Sequence, residues 1–512
     1  MTRILLGIDI GTTLTKGVLV DTDGRTLAEA SRPATLVSER PAWAEEDPEQ
    51  WWENTCSVCR ELRETASVPA DGIAAVGVTG MVPAMVLLDT QGRPLRRSIQ
   101  QNDARTRVEI RELRERYDPE RFFELSGGSI NQQVVAPKMC WLAKHEPAVV
   151  ARLATLMGSY DFIAFRLTGV RSVEHNWALE SGLFDVRRES WSSELLDLAG
   201  LEPSQLPDPR RSHEVIGEVT RAAAEGTGLA PGTPVVAGAA DHVASAYAAT
   251  AYGDGDLVIK FGGAGDILYS VDELVTDPRL FIDYHLVPGK YYVNGCMATS
   301  GSLLQWYADR FCGDDATDAA AADRSVYAWL DEAAAKLEPG ADGLVVLPYF
   351  LGEKTPLHDP AARGTVIGLD LHHHRHHLYR AMLEAVAYGF RHHVDVLHES
   401  DLEVRRVLAA DGGARSDVWL QIAADVLETT VQRVAQHPGS SLGAAVVAGM
   451  GTGALDDWRA IERFVRLGRS FEPLSDHVDT YRRLYGVYRE SYERLRDLYP
   501  LLASAPRVQG EP

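Results

Sequence analysis

The stretch Gly7-Ile-Asp-Ile-Gly-Thr-Thr-Leu-Thr-Lys16 decides how the rest of this chain is interpreted. An apolar run from Ile4 ends in an acid, a Gly-Thr-Thr bend follows, and a second apolar run starts at once. This pattern predicts a hairpin of two strands, Ile4–Ile10 and Leu14–Asp21. Its backbone N–H groups converge at the bend, which is one way to bind a phosphate group. Such a bend can also be only a tight turn between two strands, and both interpretations stay open at this point.

The side chains around the bend have the chemistry that a phosphate site needs. Thr12, Thr13 and Lys16 can supply hydrogen-bond donors, and Asp9 can hold a magnesium ion through a water molecule. The stretch differs from the Gly-x4-Gly-Lys-Ser/Thr loop, which occurs nowhere in the chain. A phosphate site here would therefore be of a different class.

Length and composition limit the remaining possibilities. The 512 residues are too many for one core and predict two or three domains. The net charge of −22 argues against nucleic acid and against an anionic membrane as partners. We find no apolar run of about 18 residues and no basic-then-apolar leader, so the expected location is the cytoplasm.

Two further groups of residues are interpreted as structural. The five cysteines are expected to be reduced thiols, with Cys56 and Cys59 in an amphipathic helix. The run His372-His-His-Arg-His-His377 could suggest a metal site, but no cysteine or carboxylate cluster accompanies it at ligand spacing. We interpret the run as a solvated loop that leads into a helix.

The opening pattern returns in the second half of the chain. Residues 256–269 again read as a strand, a glycine bend and a strand. Aligning Gly262 with Gly11 places the two bends about 250 residues apart, as in a chain with two related domains. Lys260 stands where the first copy has Asp9, so only one half offers the acid.

At two other places a predicted strand is followed by a predicted helix, and the residues between them could bind a ligand or react with it. Asp241 follows an apolar strand and opens a helix, where it could accept a proton from a substrate hydroxyl or simply cap the helix. Asp411-Gly-Gly-Ala-Arg-Ser-Asp417 lies between a strand and a helix, where glycines let the backbone approach a ligand. The small residues of 443–449 predict a helix that packs closely against that loop.

With these stretches in place, the chain resembles the FGGY carbohydrate kinase family, and most of all its xylulokinase-type branch, from Ile4 to about Tyr499. The family's second signature is matched by Gly364-Thr-Val-Ile-Gly-Leu369, seven spacer residues and His377-Leu-Tyr-Arg-Ala-Met-Leu-Glu384. Two other stretches, at residues 43–52 and 348–356, also resemble the family. The resemblance implies an α/β fold of two ribonuclease-H-like domains of the actin-like ATPase class, with a nucleotide and sugar cleft between them.

The resemblance also implies domains and roles. Residues 1–244 would be the N-terminal kinase domain, residues 245–500 the C-terminal kinase domain, and residues 501–512 a disordered tail. Asp241 falls on the catalytic base and Asp9 on the magnesium-associated acid. The remaining positions fall on the first phosphate loop (Thr12, Thr13, Lys16), the second phosphate loop (Gly262, Gly263), a nucleotide-binding segment (Gly301, Gln305) and the adenosine loop (Gly413, Ala414, Asp417).

The sugar pocket departs from the xylulokinase pattern. Its predicted residues are Val82, Pro83, Gln101, Asn102, Asp103, Asp241 and His242. Val82 and Pro83 replace a Met and a His, Gln101 replaces a Trp, and His242 replaces an Asn. Recognition of buried hydroxyl groups tolerates such losses poorly, so we expect a substrate other than D-xylulose. The second phosphate loop also lacks its usual hydroxyl side chains, because it reads Gly262-Gly-Ala264.

The predicted function is transfer of the γ-phosphate of ATP, with Mg²⁺, to a primary hydroxyl of a small ketose or polyol. Because water could otherwise accept the phosphate in place of the sugar, we expect the domains to close over the substrate and exclude water. An actin-like or chaperone-like ATPase that acts on a protein partner is the alternative, and a catalytically silent sugar-binding homologue is a second one. The predicted ligands are then the sugar or polyol and ATP. We expect no nucleic-acid partner and no membrane partner, and the question whether the chain forms a homodimer stays open.

Overall fold

The chain folds into two units, each built around its own mixed β-sheet. The computed structural model describes residues 2–436 and 439–503. Unit 1 is Met1–Tyr252, Asp272–Tyr292 and His437–Val465, and unit 2 is Gly253–Val271, Val293–Gln436 and Arg466–Pro512. Within the described part of the chain, no helix is long and apolar enough to cross a membrane.

The strands, in chain order, are β1 Ile4–Ile10, β2 Leu14–Asp21, β3 Thr26–Pro33, β4 Glu45–Glu46, β5 Ile73–Gly80, β6 Val86–Leu88, β7 Ser98–Ile99, β8 Thr155–Met157, β9 Ser172–Glu174, β10 Phe184–Asp185, β11 Ser190–Trp191, β12 Asp208–Arg210, β13 Val215–Glu218, β14 Pro234–Val236, β15 Ala239–Ala240, β16 Asp256–Phe261, β17 Gly265–Val271, β18 Phe281–Tyr284, β19 Tyr291–Met297, β20 Val345–Leu347, β21 Thr365–Ile367, β22 Arg406–Ala410, β23 Val431–Gln436 and β24 Arg466–Phe471.

The α-helices are α1 Pro48–Ala66, α2 Arg107–Arg116, α3 Pro119–Ser126, α4 Val135–His145, α5 Pro147–Val150, α6 Ser159–Thr168, α7 His175–Glu180, α8 Ser193–Ala199, α9 Arg221–Thr227, α10 Asp241–Ala248, α11 Gly301–Phe311, α12 Gly313–Ala321, α13 Val326–Ala334, α14 Arg375–Glu399, α15 Asp417–Leu427, α16 Ser440–Gly451, α17 Ser475–Leu495 and α18 Tyr499–Ala503. Short 3₁₀ turns occur at Ala70–Gly72, Pro203–Gln205, Ala341–Gly343, Gly412–Arg415, Trp458–Arg463 and Arg496–Leu498.

The two sheets repeat one strand pattern. In unit 1 the order is β3-β2-β1-β5-β14-β13, where β1 pairs antiparallel with β2 and parallel with β5. In unit 2 the order is β19-β17-β16-β22-β23-β24, where β16 pairs antiparallel with β17 and parallel with β22. The outermost pairs β14–β13 and β23–β24 are antiparallel in both. The internal repeat inferred from the two glycine bends is therefore present in the fold.

The central strands of unit 1 are largely buried because helices cover both faces of the sheet. Helix α16 packs on β1 and β5, and α1 packs on β2 and β3. Every residue of β1 after Ile4 is buried, as is typical of a strand in the middle of a covered sheet. The predicted bounds of β1 and β2 agree with the structure.

Helix α16 approaches its neighbours closely because glycines face it. A Cβ atom on Gly7 would lie 1.8 Å from the carbonyl oxygen of Ser441, and a Cβ atom on Gly77 would lie 2.1 Å from the carbonyl oxygen of Ala444 in the same helix. On the helix itself, a Cβ on Gly443 would lie 2.4 Å from the carbonyl oxygen of Ala244 in α10. The prediction that this helix packs on the adenosine loop was wrong: it lies in unit 1 against β1, β5 and α10.

Other predictions about the chain have varied outcomes. Cys56 and Cys59 are buried in α1, as predicted, and burial raises the pKa of both thiols. The predicted domain boundary after residue 244 stays a prediction. In the structure, the first segment of unit 1 ends at Tyr252, and two later segments of the chain also belong to unit 1. Residues 501–503 belong to α18, and the rest of the predicted tail, 504–512, lies outside the described residues.

Candidate functional site

The first hairpin places the predicted phosphate residues around one bend. Asp9 lies next to the end of β1, opposite Lys16 on β2, and its side chain is largely buried. Thr12 is half-buried and its hydroxyl contacts the Met81 sulfur at 3.6 Å. Thr13 and Lys16 are exposed. Donors and an acid therefore surround the bend, and only the acid is held in the interior.

Asp241 is the first residue of α10, directly after β15, which pairs with β5. The N-cap of this helix is Ala240, so Asp241 is not the capping residue that the simpler interpretation proposed. The Asp241 side chain is 38% exposed, and its Oδ1 accepts a hydrogen bond from the backbone N–H of His242 at 2.6 Å. A partly exposed carboxylate at the end of a buried sheet is well placed to meet a substrate.

His242 is held by carboxylates from three elements. Its Nε2 lies 2.9 Å from Asp283 Oδ2 on β18 and 3.5 Å from Glu180 Oε1 on α7. Its Nδ1 lies 3.5 Å from Asp241 Oδ1. Asp283 and Glu180 belong to none of the motifs described above, so sequence reasoning missed both.

The apolar wall predicted for the sugar pocket follows β5. Val82 is 5% exposed and Pro83 is buried as well. Two hydrogen bonds fix the segment on either side of them: the Ser159 hydroxyl donates to the carbonyl of Met81 at 2.9 Å, and the Trp177 indole N–H donates to the carbonyl of Ala84 at 2.9 Å. This wall is therefore rigid, and Val82 and Pro83 themselves offer no side-chain donor.

The segment at residues 101–103 combines available and occupied groups. Asn102 is exposed, and Gln101 is half-buried with a side-chain oxygen that has no hydrogen-bond partner among the described residues. Asp103 is completely buried, and its carboxylate accepts hydrogen bonds from the guanidinium of Arg105 at 2.7 and 2.8 Å and from the backbone N–H of Ala44 at 2.6 Å. This geometry contradicts a direct sugar contact for Asp103, because its oxygens are already bonded within the protein.

The second glycine bend, in unit 2, is docked on the N-terminus of α11. The carbonyl of Gly262 accepts from the N–H of Gly301 at 2.8 Å, and the carbonyl of Gly263 accepts from the N–H of Ser300 at 2.8 Å. A Cβ on Gly301 would lie 2.7 Å from the Gly262 oxygen, so this contact requires glycine. Gln305 is exposed one turn further along the same helix. The structure thus brings Gly262, Gly263 and Gly301 together.

The predicted adenosine loop contains two glycines in different surroundings. A Cβ on Gly413 would lie 2.5 Å from the Trp419 ring and 2.8 Å from the Cβ of Phe261. A Cβ on Gly412 would have no atom of residues 2–436 or 439–503 within 4 Å. Packing inside unit 2 therefore requires glycine at position 413, whereas position 412 faces open space.

The other two residues of that loop are fixed by arginines. Ala414 is buried, and its carbonyl accepts a hydrogen bond from Arg433 Nε at 2.7 Å. Asp417, at the start of α15, pairs with Arg433 at 2.5 Å and with Arg469 at 3.0 Å. The negative charge of Asp417 is thus compensated by two guanidinium groups of unit 2.

The family signature consists of a half-buried strand segment and a buried part of α14 in unit 2. Glu384 is completely buried and accepts hydrogen bonds from Arg380 at 2.9 Å and from the hydroxyl of Tyr481 at 3.0 Å. A Cβ on Gly364 would lie 2.4 Å from the Phe350 ring. These contacts show that the signature residues Gly364 and Glu384 stabilise the fold.

The histidine run leads into α14, as predicted, but it does have carboxylate neighbours. His376 Nε2 lies 2.8 Å from Asp315 Oδ1, and His377 Nε2 lies 3.1 Å from Asp342 Oδ2. The Nδ1 atom of His377 accepts a hydrogen bond from the backbone N–H of His374. In a neutral His377 the proton is therefore on Nε2 and is donated to Asp342. The ligand atoms of Asp342, His372 and His377 lie within 4.8 Å of one another, which is a spacing that a metal ion could use.

Comparisons with known proteins agree with this architecture. The models of the N-terminal and C-terminal domains of the FGGY family of carbohydrate kinases match residues 4–248 and 275–452. Xylulose kinase of Bacillus subtilis (strain 168) is 29% identical over 505 residues, which are 98% of this chain and 99% of that protein. Gluconokinase of the same strain is 27% identical over 510 residues, which are 99% of each.

A solved structure extends this result to three dimensions. The crystal structure of xylulose kinase from Rhodospirillum rubrum has a TM-score of 0.91 and 47% sequence identity, and the match covers 97% of this chain and 100% of that one. The two-domain α/β fold expected from the sequence is confirmed. The chain belongs to the FGGY carbohydrate kinase family and is an ATP-dependent sugar kinase.

Proposed function

We propose that this kinase transfers the γ-phosphate of ATP to a primary hydroxyl of a small ketose or polyol, with Asp241 as the base. The position of Asp241 is the observation that carries the proposal. Its carboxylate is partly exposed at the first turn of α10, at the edge of a sheet whose first hairpin has phosphate-binding chemistry. A carboxylate placed there can accept the hydroxyl proton as the oxygen attacks phosphorus.

The residues of the first hairpin suit a magnesium–nucleotide complex. Asp9 offers a hard carboxylate oxygen near the bend, the kind of donor that Mg²⁺ prefers, and would hold the ion through water. When bound, Mg²⁺ neutralises charge on the phosphate oxygens. Thr12, Thr13 and Lys16 would donate to phosphate oxygens around the bend.

In unit 2, the second bend and the adenosine loop would hold the nucleotide. The carbonyls of Gly262 and Gly263 are occupied by α11, which fixes the shape of the bend and leaves phosphate contacts to other backbone N–H groups. Gly301 and Gln305 would contribute to nucleotide binding from α11. Gly413, Ala414 and Asp417 would form the adenosine side, where the open space at Gly412 allows close approach of a ligand.

For the acceptor, we propose a substrate other than D-xylulose. Val82 and Pro83 make one wall rigid, apolar and free of side-chain donors. Gln101 offers a buried amide oxygen that has no hydrogen-bond partner within residues 2–436 and 439–503 and could accept from a substrate hydroxyl. Loss of a matched hydrogen bond to a substrate hydroxyl costs about 10²-fold or more in specificity, and D-xylulose should be disfavoured by at least about that factor.

An actin-like or chaperone-like ATPase is not favoured, because the match to the FGGY family extends over both units. ADP release separates the two functions. A sugar kinase releases ADP only when its acceptor is added, whereas an ATPase that acts on a protein partner releases it without sugar.

The decisive experiment is a screen for sugar-dependent ADP release with pentuloses, hexuloses, tetruloses, polyols and gluconate. Asp241→Asn should lower kcat for the best substrate by about 10² or more with little change in ATP binding, because the amide cannot take the proton. Asp71→Asn, at an exposed position of unit 1, is the matched control. Near-normal turnover of Asp241→Asn would exclude the assignment of the base.

The same screen tests the acceptor. If D-xylulose is the best substrate, the argument from the pocket wall fails while the kinase assignment stands. If another sugar is best, the double variant Val82→Met with Pro83→His should improve D-xylulose turnover. The improvement should be incomplete, because Gln101 and His242 remain.

A further inference from the structure

We infer that Asp283 and His242 form a positioning pair that holds Asp241, with His242 as an imidazolium cation between the two aspartates. The inference rests on the proposed role of Asp241 as the base. The three side chains form a chain from the interior to the surface: Asp283 is 1% exposed, His242 is 23% exposed and Asp241 is 38% exposed.

The contacts fix the orientation of both neighbours of His242. Its Nε2 atom is bonded to Asp283 Oδ2 at 2.9 Å, and its Nδ1 atom lies 3.5 Å from Asp241 Oδ1. The backbone N–H of His242 donates to the same Oδ1 at 2.6 Å. One residue therefore contacts Oδ1 of the base twice, and Asp283 fixes the ring that makes one of these contacts.

The element that supplies Asp283 is itself fixed. Strand β18 is bonded to α7 through Asn176, whose side-chain oxygen accepts from the Tyr284 N–H at 2.7 Å and whose side-chain nitrogen donates to the Tyr284 carbonyl at 2.9 Å. Helix α7 carries Glu180 at its other end. The carboxylates of Asp283 and Glu180 are thus presented to the imidazole by one rigid substructure of unit 1.

The charges around the imidazole favour its protonated form. Burial alone would lower the pKa of His242, but the carboxylates of Asp283 and Glu180 and the hydrogen bonds with Asp241 and Asp283 raise it well above its ordinary value. Burial also raises the pKa of Glu180, so that this group holds its proton more readily than an exposed glutamate.

The groups that face the cluster come from four elements of unit 1: Asp241 from α10, Glu180 from α7, Asp283 from β18, and Glu174 from β9, which acts on Glu180. Helix α16, which packs on α10, carries no charged residue. Among these groups, the carboxylates of Asp241 and Asp283 lie directly beside the imidazole of His242. A cation at His242 compensates part of their charge and stabilises the ionised form of Asp241, which is the form that can accept a proton.

The pair has a kinetic signature that a merely structural role would not produce. With Asp283→Asn, the imidazole loses its nearest anion, and burial then favours neutral His242 near pH 7. We expect kcat to fall about tenfold or more, a fraction of the 10²–10⁴ that a general base supplies. The kcat/KM profile should also gain a new decline on its alkaline side, at the pH where His242 now loses its proton.

Two further variants separate the contribution of the His242 cation from that of the neighbouring acids. His242→Asn removes the cation, so the acidic limb of the kcat/KM profile should move to higher pH and no new alkaline decline should appear. Glu180→Gln should leave the profile closer to that of the wild type than Asp283→Asn does, because Glu180 lies further from the ring and its raised pKa favours the neutral form that glutamine resembles. Asp71→Asn is the control, and thermal unfolding of each variant shows whether it is folded.

The outcomes are distinct. A pH profile of Asp283→Asn that superimposes on that of the wild type after scaling would overturn the inference, even if turnover fell. If Asp283→Asn does not fold, an unchanged profile in His242→Asn would overturn it equally. If no acceptor gives ADP release, or if Asp241→Asn keeps full activity, the proposed function itself fails, and this result is separate from the pair.

Discussion

The contact between α16 and α10 gives a prediction that links packing to the proposed base. Gly443 on α16 faces the backbone of Ala244, three residues after Asp241. In Gly443→Ala, the added Cβ would lie 2.4 Å from the carbonyl oxygen and 3.0 Å from the Cβ of Ala244. A backbone carbonyl cannot rotate away, so one of the two helices must move.

The size of the effect follows from that distance. Ordinary contact begins near 3.4 Å, so the helices must separate by about 1 Å. Overpacking of this kind costs about 1–3 kcal/mol, and alanine returns up to about 1 kcal/mol in helix propensity. We expect a net loss of about 1–2 kcal/mol and, for a unit of about 300 residues, a Tm lower by about 2–3 °C. A shift of about 1 Å in the helix that carries Asp241 should lower kcat by about 10²-fold.

Gly486→Ala, within α17, is the matched control. Its Cβ would be exposed, with no atom of the described residues within 4 Å. It should therefore have at least the stability and nearly the activity of the wild type. Thermal unfolding and steady-state kinetics of both variants decide the matter. The reasoning is refuted if Gly443→Ala unfolds within about 1 °C of the wild type and retains its kcat.

Further predictions concern unit 2. Gly413→Val should lower the Tm, because its side chain would meet the Trp419 ring, whereas Gly412→Ala should keep the Tm and raise KM for ATP more than KM for the sugar. If Gly412→Ala changed only KM for the sugar, the assignment of this loop to the nucleotide would be wrong. Burial raises the pKa of Glu353 from its ordinary value of about 4.5 to about 8, so its stabilising effect is complete below pH 4.5 and is lost as pH rises through 8. The Tm of Glu353→Gln should therefore depend less on pH across this range, and parallel slopes for wild type and variant would contradict the assignment.

Local sequence patterns were sufficient to predict the sheets. The bounds of β1 and β2 agree with the prediction because both strands are rich in apolar residues and flank a glycine bend. The second glycine bend predicted the repeat, which appears as the same strand order in both units. What local patterns could not show is that Asp272–Tyr292 and His437–Val465 return to unit 1, since this depends on long-range packing.

Site residues were predictable as positions on the backbone and less so as contacts. Gly413 was correctly placed between a strand and a helix, but its neighbours are Trp419 and Phe261, which no local pattern reveals. Asp103 was predicted to contact the sugar, yet the side chain of Arg105 turns back on it. In both cases the residue type was informative, and the partner that decides its role was visible only in the folded chain.

The cluster at His242 shows why a departure from a family pattern must be judged together with its surroundings. Considered alone, a histidine beside Asp241 is a new polar group for the sugar pocket. In the structure its Nε2 is bonded to Asp283, which is 41 residues away and 1% exposed. A buried aspartate next to a neutral amide would be a costly charge, and a buried histidine without an acid would be neutral. Each residue therefore makes the other tolerable in the interior of unit 1.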